Sequence, residues 1–166
     1  MATAIAIPIL SILLILQSAI FSRITLLNGT VDLVLLAIIA WALQKRVRTA
    51  WQWCIIGGLL VSFVSALPLG APLIGYLLAV GLALMLRRRV WQVPILAMYV
   101  TTFFATMITN LVSMLALRLT GVPLPFWQSI NTVSLPSILL NLFLALPFYA
   151  LLGDLSNWLY PEKLEI

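Results

Sequence analysis

The sequence contains no histidine and a single cysteine, and both absences exclude classes of site. Without histidine there is no His-based catalysis, no His-ligated haem and no zinc site that uses histidine. Cys54 cannot form a disulfide within the chain, and we interpret it as a small apolar helix residue. The sequence also lacks a carboxylate pair, a Gly-rich phosphate loop, and a Ser or Cys beside a base. We therefore expect a protein that is not an enzyme and that carries no metal or cofactor.

Charge is equally scarce. Only 8% of the 166 residues are charged and 64% are hydrophobic, whereas a soluble domain has roughly 25% charged residues. This composition predicts an all-α integral membrane protein with one transmembrane domain, residues 1–166. The net charge of +5 comes from clusters near helix ends. Such clusters are typical of topology signals and of contacts with anionic membrane lipids, and we expect no nucleic-acid partner.

Turn residues and cations divide the chain into a bundle of six transmembrane helices. The apolar N-terminal run has no basic leader region, so we interpret it as a retained span and not as a signal peptide. The predicted spans are about 3–21, 31–44, 51–67, 73–86, 91–119 and 133–152. Spans 2, 3 and 4 are short, which implies local membrane thinning, buried helix ends or support from a partner.

The distribution of cations predicts the orientation. With the N-terminus inside, seven cations lie on the inner side, and Arg23 and Arg118 lie on the outer side. Lys and Arg accumulate on the cytoplasmic side, so the N- and C-termini are predicted to be cytoplasmic. The topology determinants are Lys45, Arg46, Arg48, Arg87, Arg88 and Arg89, joined by Lys163 in the tail. Tryptophans that fall near the same interface, where indole rings prefer to lie, are Trp41, Trp51, Trp53, Trp91 and Trp158.

One acid lies deep in an apolar segment. Asp32 precedes Lys45 by 13 residues, or about 20 Å of helix, which places it in the outer half of a hydrocarbon core about 30 Å thick. Counting in the same way from other helix ends brings three amides to similar depths. The candidate polar layer is therefore Gln17, Asp32, Asn110 and Asn141.

Two roles are open for this layer. Buried amides and acids hold membrane helices together by hydrogen bonding one another, and they also form sites for a ligand or a partner. Asp32 lies near the start of its helix, where the helix dipole favours a negative charge, so helix stabilisation is a third role. Arg23 and Arg118 are the cations on its side of the membrane that could pair with it.

Small residues recur every four positions in and before span 4. A stripe of this kind lets another helix backbone approach closely. It is a candidate helix-packing face within the chain, or a face for another membrane protein, with Gly57 and Gly58 as a possible internal counterpart. The stripe consists of Ala71, Gly75, Ala79 and Ala83.

Three segments together resemble a known family. The first is Leu16-Gln17-Ser18 near the end of span 1, and the second is Val31-Asp32-Leu33 at the start of span 2. The third is Leu135-Pro136-Ser137 with Asn141 and Pro147 in span 6. With the length, the six spans and the Arg-rich link after span 4, this arrangement resembles MreD, the rod-shape-determining protein family of bacteria. Members usually have proline before the span-2 acid, where this chain has Val31.

The resemblance implies a non-enzymatic subunit of the bacterial elongasome in the cytoplasmic (inner) membrane. Such a subunit binds MreC and helps couple MreB filaments to peptidoglycan synthesis by RodA and its class B penicillin-binding partner, and so to rod cell shape. The family is similar in fold to the substrate-binding subunits of energy-coupling-factor vitamin transporters. A substrate-binding subunit of that kind is therefore the alternative function that we expect.

Overall fold

The computed structural model describes residues 2–21, 30–68, 70–89, 93–121 and 130–161. These residues form six α-helices, which confirms the prediction of an all-helical chain with six helices. The helices are α1 (Ala2–Leu16), α2 (Leu33–Leu43), α3 (Ala50–Val64), α4 (Ala71–Arg89), α5 (Pro94–Leu119) and α6 (Leu135–Leu159). A π-helical turn, Gln17–Phe21, extends α1, and another, Ile130–Ser134, leads into α6.

The helices differ in whether they can cross a membrane. Three are long and apolar enough to do so, at Ala71–Arg88, Pro94–Leu119 and Asn131–Leu159. The first three helices are apolar but shorter, at Thr3–Ala19, Leu33–Leu43 and Ala50–Val64. The chain is therefore a membrane protein by the length and composition of α4, α5 and α6.

Helix α2 lies at the centre of the fold. It contacts α1, α3, α4, α5 and α6, and all of its residues from Leu33 to Leu43 are buried. Its sequence is apolar on every side, which is typical of a helix surrounded by other helices. The helix has 11 residues, or about 16 Å, so it is roughly half as long as a hydrocarbon core is thick. Its two ends therefore require partners inside the protein.

Two helices extend beyond the predicted spans. Helix α4 covers Ala71–Arg89 where we predicted 73–86, because the three arginines continue the helix. Helix α6 continues to Leu159, beyond the predicted end at Leu152. Asp154 and Ser156 both lie within this helix. Asp154 is exposed, and Ser156 is buried on another side of the helix.

Two other helices begin or end inside their predicted spans. Helix α5 begins at Pro94, three residues after the predicted start at Trp91, because the fixed φ of proline suits the first turn of a helix. Helix α3 ends at Val64, where Ser65 turns to an extended conformation and its hydroxyl accepts the N–H of Leu67 at 3.1 Å.

The small-residue stripe of α4 packs inside the chain. Ala79 and Ala83 are fully buried, and Gly75 lies against Thr109 of α5. Of the two interpretations of this stripe, the structure shows packing within the chain, because the chain's own helices cover it. Gly58 of α3 approaches α4 at Leu73, and Gly57 lies against Ile38 of α2.

Adding a methyl group to Gly75 is expected to weaken the packing of α4 on α5. The new Cβ would lie 3.1 Å from Thr109 Cγ2 and 3.3 Å from Thr109 Cα, so backbone would have to move. At Gly81, in the same helix, the nearest atom would be Trp51 Cη2 at 3.9 Å. Both Gly→Ala changes gain similar helix propensity, up to about 1 kcal/mol. The difference between them therefore isolates the contact with Thr109.

We expect the free energy of unfolding of the Gly75→Ala variant to be at least about 1 kcal/mol lower than that of the Gly81→Ala variant. Reversible unfolding of the two variants in mixed detergent micelles measures this difference. Equal stabilities would contradict a close α4–α5 contact at Gly75.

The tryptophans differ in burial. Trp41 and Trp53 are fully buried, and their rings stack with centroids 4.4 Å apart. Trp41 Nε1 donates to Thr49 Oγ1 at 3.1 Å, which satisfies its polar group inside the protein. Trp51 and Trp158 are exposed, while Trp91 lies outside the described residues. Trp41 and Trp53 are therefore core residues, and the position of the tryptophans near the membrane interface stays a prediction.

Candidate functional site

The candidate site lies at the N-terminal end of α2. The first N–H groups of any helix have no partner within the helix. In a hydrocarbon environment no water is available to satisfy them, and each group left unpaired costs several kcal/mol. The residues around Asp32 supply partners for these groups from three different parts of the chain.

Gln17 supplies the first partner. It begins the π-helical turn after α1, and its Oε1 accepts the N–H of Leu33 at 2.9 Å. The same oxygen lies 3.5 Å from the nitrogen of Val34, which donates to it more weakly. A glutamine at the end of one helix thus satisfies the first N–H groups of the next helix in the sequence.

Asn141 supplies the second partner from α6. Its Oδ1 accepts the N–H of Asp32 at 3.1 Å, and its Nδ2 donates to Thr106 Oγ1 of α5 at 3.1 Å. Thr106 in turn donates to the carbonyl of Thr102 at 2.8 Å. Asn141 is buried, so this chain of hydrogen bonds joins α2, α5 and α6 in the core.

Asp32 caps its own helix. It is the N-cap residue of α2, and its Oδ1 accepts the N–H of Leu35 at 2.9 Å. Its backbone carbonyl accepts the N–H of Leu36 at 3.0 Å, the first bond within the helix. The helix-start role is therefore correct for Asp32, and it coexists with the contact to Asn141.

The carboxyl group of Asp32 has a second partner, Tyr76 of α4. The hydroxyl oxygen of Tyr76 lies 2.7 Å from both carboxylate oxygens of Asp32, so its proton is donated across the two. Arg118, one of the two cations that we expected to pair with Asp32, is exposed at the end of α5. Arg23, the other, lies outside the described residues. Among the described residues, Asp32 has no ion-pair partner.

Ser137 of α6 binds the backbone just before Asp32. Its hydroxyl accepts the N–H of Thr30 at 2.9 Å and donates to the carbonyl of Val133 at 2.7 Å. Residues from α6 therefore hold the chain on both sides of Val31, and fix the segment that enters α2.

Asn110 borders this site without joining the hydrogen bonds. Its Nδ2 is buried and has no partner among the described residues. Of the predicted layer of four, the structure brings Gln17, Asp32 and Asn141 together at the start of α2, while Asn110 makes no hydrogen bond to them. Asn110 lines the same cavity as the other three, which has a volume of about 270 Å³ and which Tyr76 also lines.

The C-terminal end of α2 is capped by an arginine from α4. Arg87 Nη1 donates to the carbonyls of Ala42 and Gln44 at 3.0 Å and of Val47 at 3.1 Å. The last carbonyls of a helix are unpaired and attract a cation. Arg87 is therefore a helix cap in addition to one of the cations from which we predicted the orientation.

Sequence reasoning missed Tyr76 and the capping role of Arg87. A signal existed for Tyr76, because a phenol in an apolar helix needs a hydrogen-bond partner when it is buried. For Arg87 the signal was weaker, since three consecutive arginines look alike in the sequence and nothing local distinguishes the one that bonds to the end of α2.

Comparisons with known proteins return nothing for this chain: no family model, no curated protein and no solved structure matches it.

Proposed function

We propose that this chain is an MreD-like, non-enzymatic subunit of the elongasome in the bacterial cytoplasmic membrane. In this proposal it crosses the membrane six times, with both termini in the cytoplasm. It binds MreC directly, and directly or through MreC it helps couple MreB filaments to RodA and its class B penicillin-binding partner.

One observation carries the proposal. The three segments that resemble the MreD family, which are far apart in the sequence, meet at the start of α2. Gln17 of the first segment accepts the N–H of Leu33 in the second, and Asn141 of the third accepts the N–H of Asp32 in the second. The resemblance therefore rests on one physical unit, a set of side chains that lets a half-length helix begin inside the bundle.

The geometry also suits a protein that positions others. At the start of α2 the polar groups of Gln17, Asn141 and Asp32 are engaged with backbone N–H groups. A polar set used in this way fixes a helix in place. A subunit that holds partners in a defined arrangement needs such a fixed core.

Purification from the native bacterium with an affinity tag tests the proposal. We expect a bitopic protein of the MreC type among the bound proteins identified by mass spectrometry, and we expect depletion of the chain to turn rod-shaped cells round. A tagged membrane protein of similar size and unrelated function is the control. Rod shape that persists after depletion, with no MreC-type protein bound, would contradict the proposal.

The alternative is a substrate-binding subunit of an energy-coupling-factor vitamin transporter. The cavity beside Asp32 favours it, because Tyr76 and Asn110 line it and polar groups of that kind can orient a small molecule. The same purification separates the two functions. A transporter subunit would bring down the ATP-hydrolysing module of a transporter in place of elongasome proteins.

Labelling with membrane-impermeant thiol reagents tests the orientation. The native thiol, Cys54, is buried and is replaced by alanine first. In intact cells we expect cysteine at Gly121 to react and cysteine at Thr49 or Gln92 to react only after the membrane is permeabilised. The reason is the excess of cations on the side of Thr49 and Gln92. Labelling at Thr49 from outside would contradict this orientation.

A further inference from the structure

We propose that the cavity beside Asp32 binds the uncharged, hydroxyl-bearing head of an amphiphile, whose apolar chain lies between the C-terminal ends of α1 and α3. This site goes beyond the elongasome role and is independent of it.

Asn110 contributes an unpaired hydrogen-bond donor to the cavity. Its Nδ2 is a buried donor without a partner in the described part of the chain. Leaving such a donor unpaired costs about 1–3 kcal/mol. Asp32 lines the same cavity, and its carboxylate can accept further hydrogen bonds beyond those from Tyr76 and Leu35. The cavity thus offers a donor and an acceptor to one ligand.

The charge of the lining selects the class of head group. The described residues around the cavity include one acid, Asp32, and no Lys or Arg. A phosphate head would face that carboxylate with no cation among these described residues to offset it. An ammonium head has no acceptor for Asn110 Nδ2, and moving a cation to this depth is costly. A hydroxyl group can accept from Asn110 and donate to Asp32, so it alone of the three satisfies both.

The adjoining cavity provides the place for the chain. Its volume is about 260 Å³, and Leu14, Val61 and Val64 contribute apolar side chains to its wall. Val64 is 62% exposed, so this cavity reaches the surface of the described part of the protein. The two cavities adjoin, because both are lined by Gln17, Thr30, Val31, Val61 and Ser65. A path therefore leads from the polar cavity to an apolar surface.

The size of the polar cavity suits a small head. A volume of about 270 Å³ is enough for a glycerol-sized group. We therefore expect a monoacylglycerol-like ligand.

Photocrosslinking tests the proposal with a monoacylglycerol that carries a diazirine in its acyl chain. The full chain is placed in phosphatidylcholine nanodiscs, and the labelled peptides are identified by mass spectrometry. We expect saturable labelling near Leu14 and Val61, and competition by unlabelled monoacylglycerol. Competitors with the same acyl chain and a phosphate or an ammonium head should be at least tenfold weaker.

Variants separate binding from folding. Asn110→Leu keeps the side-chain volume and removes the donor, so we expect about tenfold weaker binding, the value of one hydrogen bond. Asn157→Leu makes the same change at an exposed site of α6 and should leave binding unchanged. Val61→Trp fills the wall common to both cavities and should abolish labelling. Unfolding temperatures show whether each variant is folded.

Four results would overturn the proposal. An ammonium-headed competitor that binds more tightly would show recognition of a cation by Asp32. Glycerol that competes as well as monoacylglycerol would show a site for a water-soluble compound. Labelling spread evenly over all helices would show general lipid contact. Normal binding by folded Asn110→Leu and Val61→Trp variants would show that the ligand does not bind in the two cavities.

Discussion

Asp32→Leu is expected to lower the free energy of unfolding by about 2–4 kcal/mol, and Asp32→Asn by about 1 kcal/mol or less. Leucine removes the cap on the N–H of Leu35 and leaves the hydroxyl of Tyr76 buried without its partner. Asparagine is as good an N-cap as aspartate and can still accept from Tyr76. Since Asp32 has no ion-pair partner among the described residues, loss of its charge alone should be tolerated.

A double variant tests this cause. In the Asp32→Leu background, Tyr76→Phe should restore part of the lost stability, because it removes the hydroxyl that has lost its acceptor. Asp154→Leu is the control, since it removes an exposed acid from α6, and we expect a change within about 0.5 kcal/mol. Reversible unfolding in mixed micelles measures all four proteins. An Asp32→Leu protein as stable as the unmodified chain would show that neither contact matters.

The same variants connect the site to the proposed function. If α2 must be fixed for the elongasome role, Asp32→Asn should restore rod shape to depleted cells and Asp32→Leu should not. The abundance of each variant in the membrane is measured in parallel. Full restoration of rod shape by Asp32→Leu at normal abundance would show that the function does not require the N-terminal cap of α2.

Arg87→Met is expected to cost about 1.5–3 kcal/mol of stability, the value of hydrogen bonds to a charged group. Methionine keeps most of the apolar stem but removes the guanidinium that Ala42, Gln44 and Val47 accept from. Arg88→Met is a matched control, because the neighbouring side chain is exposed and carries the same charge. We expect it to change stability by no more than about 0.5 kcal/mol.

The comparison of Arg87→Met with Arg88→Met also distinguishes the helix-capping role of Arg87 from the effect of its charge on the orientation of the chain. Both variants lose one positive charge at the same end of α4, so any effect on topology should be equal in the thiol-labelling assay. Only Arg87→Met should unfold more easily. Equal loss of stability in the two variants would contradict the role of Arg87 as the C-terminal cap of α2.

The core of the fold explains why these effects are expected to be large. Helix α2 is entirely buried, and both of its ends lie within the bundle. Each unpaired backbone group would be in an environment that offers no water. Gln17, Asn141 and Asp32 satisfy the N-terminal groups and Arg87 the C-terminal carbonyls. The polar residues of this chain are therefore concentrated where a short helix has to begin and end.

The sequence by itself determined the class of the protein and the existence of the polar site. A chain with 64% hydrophobic and 8% charged residues cannot form an ordinary soluble domain, and its apolar segments form helices. Asp32 and the amides Gln17 and Asn141 were predictable as a set, because polar groups in apolar segments must find one another. Counting residues from the helix ends also predicted similar depths for them.

Only the tertiary structure decided which side of each helix faces which neighbour. Depth follows from counting residues, but rotation about the helix axis requires an apolar stripe, and α2 has none because every residue is apolar. For this reason the sequence did not specify the hydrogen bonding of Asn110, and the stripe at Gly75 could not be assigned to α5 or to a partner. The pairing of Tyr76 with Asp32 and of Arg87 with the end of α2 depends on how α4 crosses α2, which no local pattern in the sequence specifies.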